Sequence, residues 1–151
     1  YGTDRCRCSP QAVDKYLSRL SGPLLDRIDL YVEVPALDFD QLSRRSDAEP
    51  SAVIKARVNA ARAIQTARFG PEGPDCNAHM GQTELARFCR LDEAGTALIK
   101  GAFDRMGLTA RSYDRILRVA RTIADLDGAE HIGVDHLAEA IQYRESSSLR
   151  R

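Results

Sequence analysis

A chain of 151 residues can bury one good core or two small ones, and with 43% apolar and 29% charged residues it reads as an ordinary globular protein. Basic and acidic residues balance at 22 each, so the formal net charge is zero and no overall field drives it toward nucleic acid or a membrane surface. No apolar run approaches the ~18 residues that would cross a bilayer, and no signal-peptide pattern opens the chain.

Arg outnumbers Lys by 19 to 3, so any anion site here is expected to be an arginine site. The four cysteines, Cys6, Cys8, Cys76 and Cys89, do not form a secreted disulfide framework, and Cys6-Arg7-Cys8 is too closely spaced to favour a bridge. A reducing, cytoplasmic setting is the expectation. Tyr1-Gly2-Thr3-Asp4 opens without Met and reads as a loop, as in a piece of a longer protein.

Taken in order, Ser9-Pro10 places an N-cap and a first-turn proline ahead of Val13, Tyr16, Leu17 and Leu20 at helical spacing, and Ser21-Gly22-Pro23 stops that helix. Leu24–Ile28 is a compact turn, at most one helical turn. Asp29–Val34 alternates, with Leu30, Val32 and Val34 on one face and Tyr31 and Glu33 on the other, which predicts a half-buried strand ended by Pro35. A lone strand cannot satisfy its own backbone, so its sheet is expected in another part of the parent protein.

Leu37–Glu49 reads as a polar connector with a short turn at Asp38–Leu42. Ser51–Phe69 is a long helix with Val53, Ile54, Val58, Ala61 and Ile64 inward, and Gly70–Gln82 is a loop. Four helices follow: Glu84–Arg90, Asp92–Met106 closed by Gly107, Thr109–Gly128, and Val134–Arg144. Joined by tight loops, they predict a helical bundle.

The third of these is the most informative. Thr109 can cap it and Gly128 can end it with a positive φ. Tyr113, Ile116, Leu117, Ala120, Ile123 and Ala124 form one apolar stripe, while Arg111, Arg115 and Arg118 project together from the other side beside Asp114 and Asp125. Such a row is either a solvated face with local pairs such as Asp114–Arg118, worth only ~0.3–0.5 kcal/mol each, or a surface that meets phosphate. The helix alone does not decide between them.

A second stretch does. Ser21-Gly22-Pro23-Leu24-Leu25-Asp26-Arg27-Ile28-Asp29-Leu30 resembles the arginine-finger segment of AAA+ ATPases of the magnesium-chelatase subunit I family, above all its competence-associated (ComM/YifB type) branch. Leu108–Leu126 is similar to that family's sensor-2 helix, His136–Arg144 to its closing helix, and Cys6-Arg7-Cys8-Ser9-Pro10 to the run before the finger. The resemblance covers nearly the whole chain, in order.

It implies a mainly α fold: a helical AAA+ lid preceded by the last helix and strand of an α/β nucleotide-binding core. Residues 1–35 would be the end of that core, 36–82 a connector with one long helix, and 83–151 the lid. Arg27 would be the catalytic arginine finger, reaching a neighbouring subunit's γ-phosphate; its alternative is an intrachain pair with Asp26 or Asp29. Arg111 would be the sensor-2 arginine, with Arg115 and Arg118 as further nucleotide-binding candidates that can instead pair with Asp114 or Asp125.

The resemblance further implies ATP and Mg²⁺ as ligands of the full-length protein, neighbouring subunits of a homo-oligomeric, hexameric ring as partners, DNA as the parent's substrate, and no membrane. No Gly-x-x-x-x-Gly-Lys-[Ser/Thr] phosphate loop occurs in these residues, so the segment is expected to be inactive and free of nucleotide alone. Relatives often carry Cys-Pro-Cys near this point, so Cys6 and Cys8 are the metal candidates, but two thiolates cannot complete a tetrahedral zinc site. His79, His131 and His136 read as surface or capping residues.

Three functions compete: the finger-and-lid segment of a DNA-remodelling ring ATPase working in branch migration, competence or recombination; the ATPase subunit of a magnesium chelatase; and a non-enzymatic helical interaction module whose arginine row is a docking face.

Overall fold

The computed structural model describes residues 7–43 and 48–144. Its elements are α1 (Pro10–Leu17), α2 (Gly22–Leu25), α3 (Phe39–Ser43), α4 (Ser51–Phe69), a 3-10 turn (Asn77–His79), α5 (Gln82–Phe88), α6 (Glu93–Met106), α7 (Ala110–Leu126) and α8 (Val134–Gln142). The fold is mainly α, as expected for a helical lid.

Local chemistry sets the helix ends. Ser9 accepts from the Ala12 amide with Pro10 in the first turn, Asp92 accepts from Gly95 at 2.7 Å, and Thr109 accepts from Ser112 at 3.2 Å. Gly107, at φ +59°, turns the chain out of α6, and Gly128, at φ +70°, turns it after α7; both are backbone conformations that a Cβ disfavours. Helix α5 begins before Glu84 because the Glu84 carboxylate reaches back to the Gly81 amide at 2.8 Å. His136 plays the same part for α8, its Nδ1 accepting from Gly133 at 2.9 Å.

The core lies where α7 meets α8, α5 and the C-terminal half of α4, with α6 packed on α8. Ile116, Ala120, Ala124 and Leu137 are fully buried at its centre. Burying Ile116 or Leu137 contributes about 1.5–3 kcal/mol each. This is the apolar stripe read from the α7 sequence, with Tyr113 and Ile123 at its partly buried edges.

Two expectations are overturned. No strand occurs among the described residues: Asp29 lies in a bend, residues 30–34 have no ladder partner there, and the Tyr31 amide donates to the Tyr143 carbonyl at 2.8 Å. The burial pattern is also reversed. Val32 and Val34 are 67% and 85% exposed, whereas Tyr31, on the face expected outside, docks against the end of α8. Without a neighbouring strand the alternation has no sheet face to fill, and the aromatic ring takes the contact that is available.

The second correction concerns α4. Val53, Ile54, Val58 and Ile64 are exposed, and only Ala61 and Gln65 are buried. The helix packs on α7 around Ala61 and Gln65, which leaves Val53 and Ile54 in its N-terminal half exposed.

Candidate functional site: the arginine helix and the turn it holds

Helix α7 presents its arginines to three different surroundings. Arg111, in the first turn, is exposed and has no side-chain partner among the described residues. Arg115 forms an ion pair with Asp29, and Arg118 donates from Nε and Nη2 to the Met80 carbonyl at 3.1 and 2.7 Å. The local pair Asp114–Arg118 does not form, since Asp114 accepts from Gln82 at 2.6 Å. Nor do Arg115 and Arg118 use Asp125, which is buried elsewhere.

The turn bearing Arg27 sits on the N-terminal end of α7. Ser21 caps α2 through the Leu24 amide, Pro23 lies in its first turn, and the helix ends at Leu25. Asp26 then faces α7: Oδ1 accepts from the Ser112 hydroxyl at 3.1 Å and Oδ2 from the Thr109 hydroxyl at 3.3 Å. Three residues on, Asp29 pairs with Arg115. Both carboxylates beside Arg27 therefore point into the helical unit. Arg27 itself is exposed and, among the described residues, its guanidinium has no partner, so neither intrachain pair, Arg27–Asp26 or Arg27–Asp29, is made.

Arg144 completes this joint. It is 2% exposed, donates from Nη2 to Ser112 Oγ at 3.1 Å and from Nη1 to the Ile28 carbonyl, and lies over the Tyr31 ring at 5.3 Å. Asp26 Oδ1 is 3.8 Å from the same guanidinium. The Tyr31 hydroxyl reaches back to the Leu25 carbonyl, so the segment closes on itself as well as on α8. The three arginines of the α7 face thus do three jobs: Arg115, joined by Arg144 from beyond α8, holds the turn, Arg118 holds the loop before α5, and Arg111 is left open to solvent.

A second polar cluster lies inside the bundle. Asp125, with no exposed side-chain surface, receives hydrogen bonds from both Arg68 Nη atoms, from Asn77 Nδ2 at 2.7 Å and from Arg121 Nε at 3.1 Å. Arg121 also donates to the Ala129 and Glu130 carbonyls at 2.7 and 2.9 Å, tying the loop after α7 to its own helix. Burial opposes ionisation of Asp125, but hydrogen bonds from Arg68 and Asn77 and the charge of Arg121 outweigh it and hold the carboxyl below its usual range. Burial also lowers the Arg121 pKa, against the opposing pull of Asp125. This network joins α4, the 3-10 turn, α7 and the α8 approach in one satisfied unit.

Sequence reading placed Asp125 on the polar face and did not single out Arg68, Arg121 or Arg144. The Arg121–Asp125 pair was detectable, because its i, i+4 spacing puts Arg121 one turn after Leu117, at the edge of the apolar stripe. Arg68 lies 57 residues from Asp125 and left no local signal.

Of the metal candidates, Cys6 lies outside the described residues and Cys8 is exposed. Cys89 is buried under α7, where burial raises its thiol pKa to about 11, the environment of an inert core thiol. No group of three or more His, Cys, Asp or Glu side chains able to hold a metal occurs among the described residues. None of their helices is long and apolar enough to cross a membrane.

Comparison with known proteins fits this geometry. Residues 48–144 match the family profile described as magnesium chelatase, subunit ChlI C-terminal, and residues 2–42 match that of magnesium chelatase, subunit ChlI. The chain is 44% identical over 139 residues to competence protein ComM of Haemophilus influenzae, covering 91% of this chain and 26% of that protein. It is 40% identical over 145 residues to YifB of Escherichia coli, covering 95% and 28%. An uncharacterised Mycobacterium bovis protein is 37% identical over 145 residues, covering 96% and 29%. The chain thus spans roughly a quarter of the length of these relatives. With most of its helical unit inside one profile and its Arg27 turn inside the companion profile, the chain belongs to the magnesium chelatase subunit ChlI family.

Proposed function

We propose that this chain is the finger-and-lid segment of a ring-forming AAA+ ATPase of the competence-protein type, working in the cytoplasm. Arg27 acts as an arginine finger on the ATP of a neighbouring subunit, and Arg111 senses nucleotide from the lid. The observation that carries this reading is the contrast around Arg27. Its two neighbouring carboxylates are committed to α7, while its own guanidinium is exposed and unpartnered among the described residues. A surface arginine held for packing or local pairing has no need of that arrangement; one kept for an incoming phosphate does.

Arg27 and Arg111 are the side chains this segment offers to the phosphate oxygens of a Mg²⁺-bound triphosphate, which suit a guanidinium's fork of donors. Arg115 and Arg118 already have partners and serve the nucleotide less directly. A guanidinium at the γ-phosphate offsets charge that develops on transfer, an effect of ~10³–10⁵ in rate. The similarity to a competence protein supports DNA as what the parent ring remodels, with branch migration during recombination as its work.

Kinetics of Arg27→Ala in the full-length protein test the finger. We expect near-normal ATP binding and turnover at least ~10³-fold slower. Unchanged turnover in rings that assemble normally contradicts the assignment.

A further inference from the structure

The joint between the Arg27 turn and the lid has a role of its own. We propose that Asp26 is a positioning residue: through Ser112, Thr109 and Arg144 it fixes the Arg27 turn to the N-terminal end of α7, so that lid and finger move as one body. This inference rests on the finger reading of Arg27 and adds to it the element that sets where the finger points.

Four observations support it. Asp26 is the residue immediately before Arg27, so a shift of its carboxylate moves the finger's own backbone. Its two oxygens meet two hydroxyls of α7, Ser112 at 3.1 Å and Thr109 at 3.3 Å, and Thr109 is also the residue that caps α7. Ser112 is 2% exposed and in turn accepts from Arg144, so the hydrogen-bond chain Asp26–Ser112–Arg144 runs from the turn through α7 to the second residue beyond α8. Arg144 then closes the loop by donating to the Ile28 carbonyl, on the other side of Arg27. The finger is therefore bracketed at Asp26 and Ile28 by groups of the same helical pair, and Asp29–Arg115 adds a third tie.

The symmetry of the joint is informative. Ser112 follows Arg111 as Asp26 precedes Arg27, so the one hydrogen bond between Asp26 and Ser112 joins the chain neighbours of the two candidate nucleotide-facing arginines. Any rotation of the lid about α7 carries Arg111 and, through this bond, Arg27. The turn has little else to hold it: α1 and α2 contain no buried residue. Position is set by directed polar contacts and not by a core, which is how a residue can be aimed while remaining solvent-facing.

The test is a kinetic cycle in the full-length protein on Asp26→Ala, Ser112→Ala and the double variant, with Arg27→Ala alongside. A misplacement of ~1 Å at a catalytic group costs up to ~10²-fold in rate. We expect Asp26→Ala to lower kcat ~10- to 100-fold with KM for ATP within twofold, and Ser112→Ala, which leaves the finger turn's own sequence intact, to lower it in the same way. The double variant is then no worse than Asp26→Ala, because both substitutions break one connection. Asp26→Asn, which keeps an acceptor oxygen for Ser112, recovers most of the turnover.

Wild-type kcat in Asp26→Ala and Ser112→Ala, with Arg27→Ala inactive, overturns the positioning role and leaves the finger standing. Losses that multiply in the double variant, or that fall on KM, overturn it as well and mark the contacts as structural. Full turnover in Arg27→Ala removes the finger reading itself and this inference with it.

Discussion

The two halves of the molecule are held together by different physics. Residues 51–144 form a packed unit, with Ile116, Leu137 and Ala124 fully buried and a satisfied ionic cluster at Asp125. Residues 7–38 bury no side chain, and the part around Arg27 is attached by hydrogen bonds, the ion pairs Asp29–Arg115 and Asp26–Arg144, and a ring contact. The first arrangement resists change; the second sets direction while leaving side chains open. That division suits a segment in which one region must persist and the other must present a charged group.

The largest effect expected from breaking the packed half is at its buried charges. Asp125→Ala leaves the buried guanidinium of Arg121 and the partly buried one of Arg68 without their carboxylate, and loss of about 3–5 kcal/mol in a denaturation experiment is expected. The same carboxyl makes stability pH-dependent. Its folded pKa is lowered, so its contribution is fully present above the unfolded value of ~3.9 and is lost as pH falls through the lower folded value. Acid titration of wild type beside Asp125→Asn checks the sign: the wild type loses more stability on acidification. An apolar truncation ranks next. Ile116→Ala or Leu117→Ala is expected to cost about 2–5 kcal/mol through the cavity left behind.

Smaller effects sharpen the contrast from the other side. Arg111→Ala is expected to shift stability by less than ~0.5 kcal/mol, as for a surface substitution away from caps and core, while slowing hydrolysis in the full-length protein. Equal melting losses for Arg111→Ala and Leu117→Ala contradict a sensor role. Amide exchange is expected to be slowest in α7 and α8 and fastest in residues 29–34, which form no ladder among the described residues. Strongest protection in 29–34 refutes the division drawn here.

What the sequence disclosed follows from the range of the interactions. Ser51–Phe69, the caps at Ser9, Asp92 and Thr109, and the ends at Gly107 and Gly128 were readable because each is set within a turn or two of chain. The stripe on α7 was readable because a 3.6-residue period is a local property. The strand at 29–34 was misread for the opposite reason: alternation states only that two faces differ, and the face that counts is decided by a partner. For the same reason Val53, Ile54 and Val58 read as inward although α4 meets α7 only farther along. The joint at Asp26 spans 86 residues to Ser112, so no spacing rule reaches it. Arg27 and Arg111 were found by resemblance, and the geometry adds that these two lack partners among the described residues while Arg115 and Arg118 have them.

As a finger, Arg27 is proposed to act on the ATP of a neighbouring subunit. Mixing two inactive full-length proteins tests it most directly: one with Arg27→Ala, the other with its phosphate-loop lysine replaced. Each retains what the other lacks, so a fraction of the interfaces in mixed rings pairs an intact finger with an intact phosphate loop. Recovery of a substantial part of wild-type ATP turnover on mixing is the predicted result. Mixed rings that assemble normally yet recover no turnover contradict a finger acting between subunits.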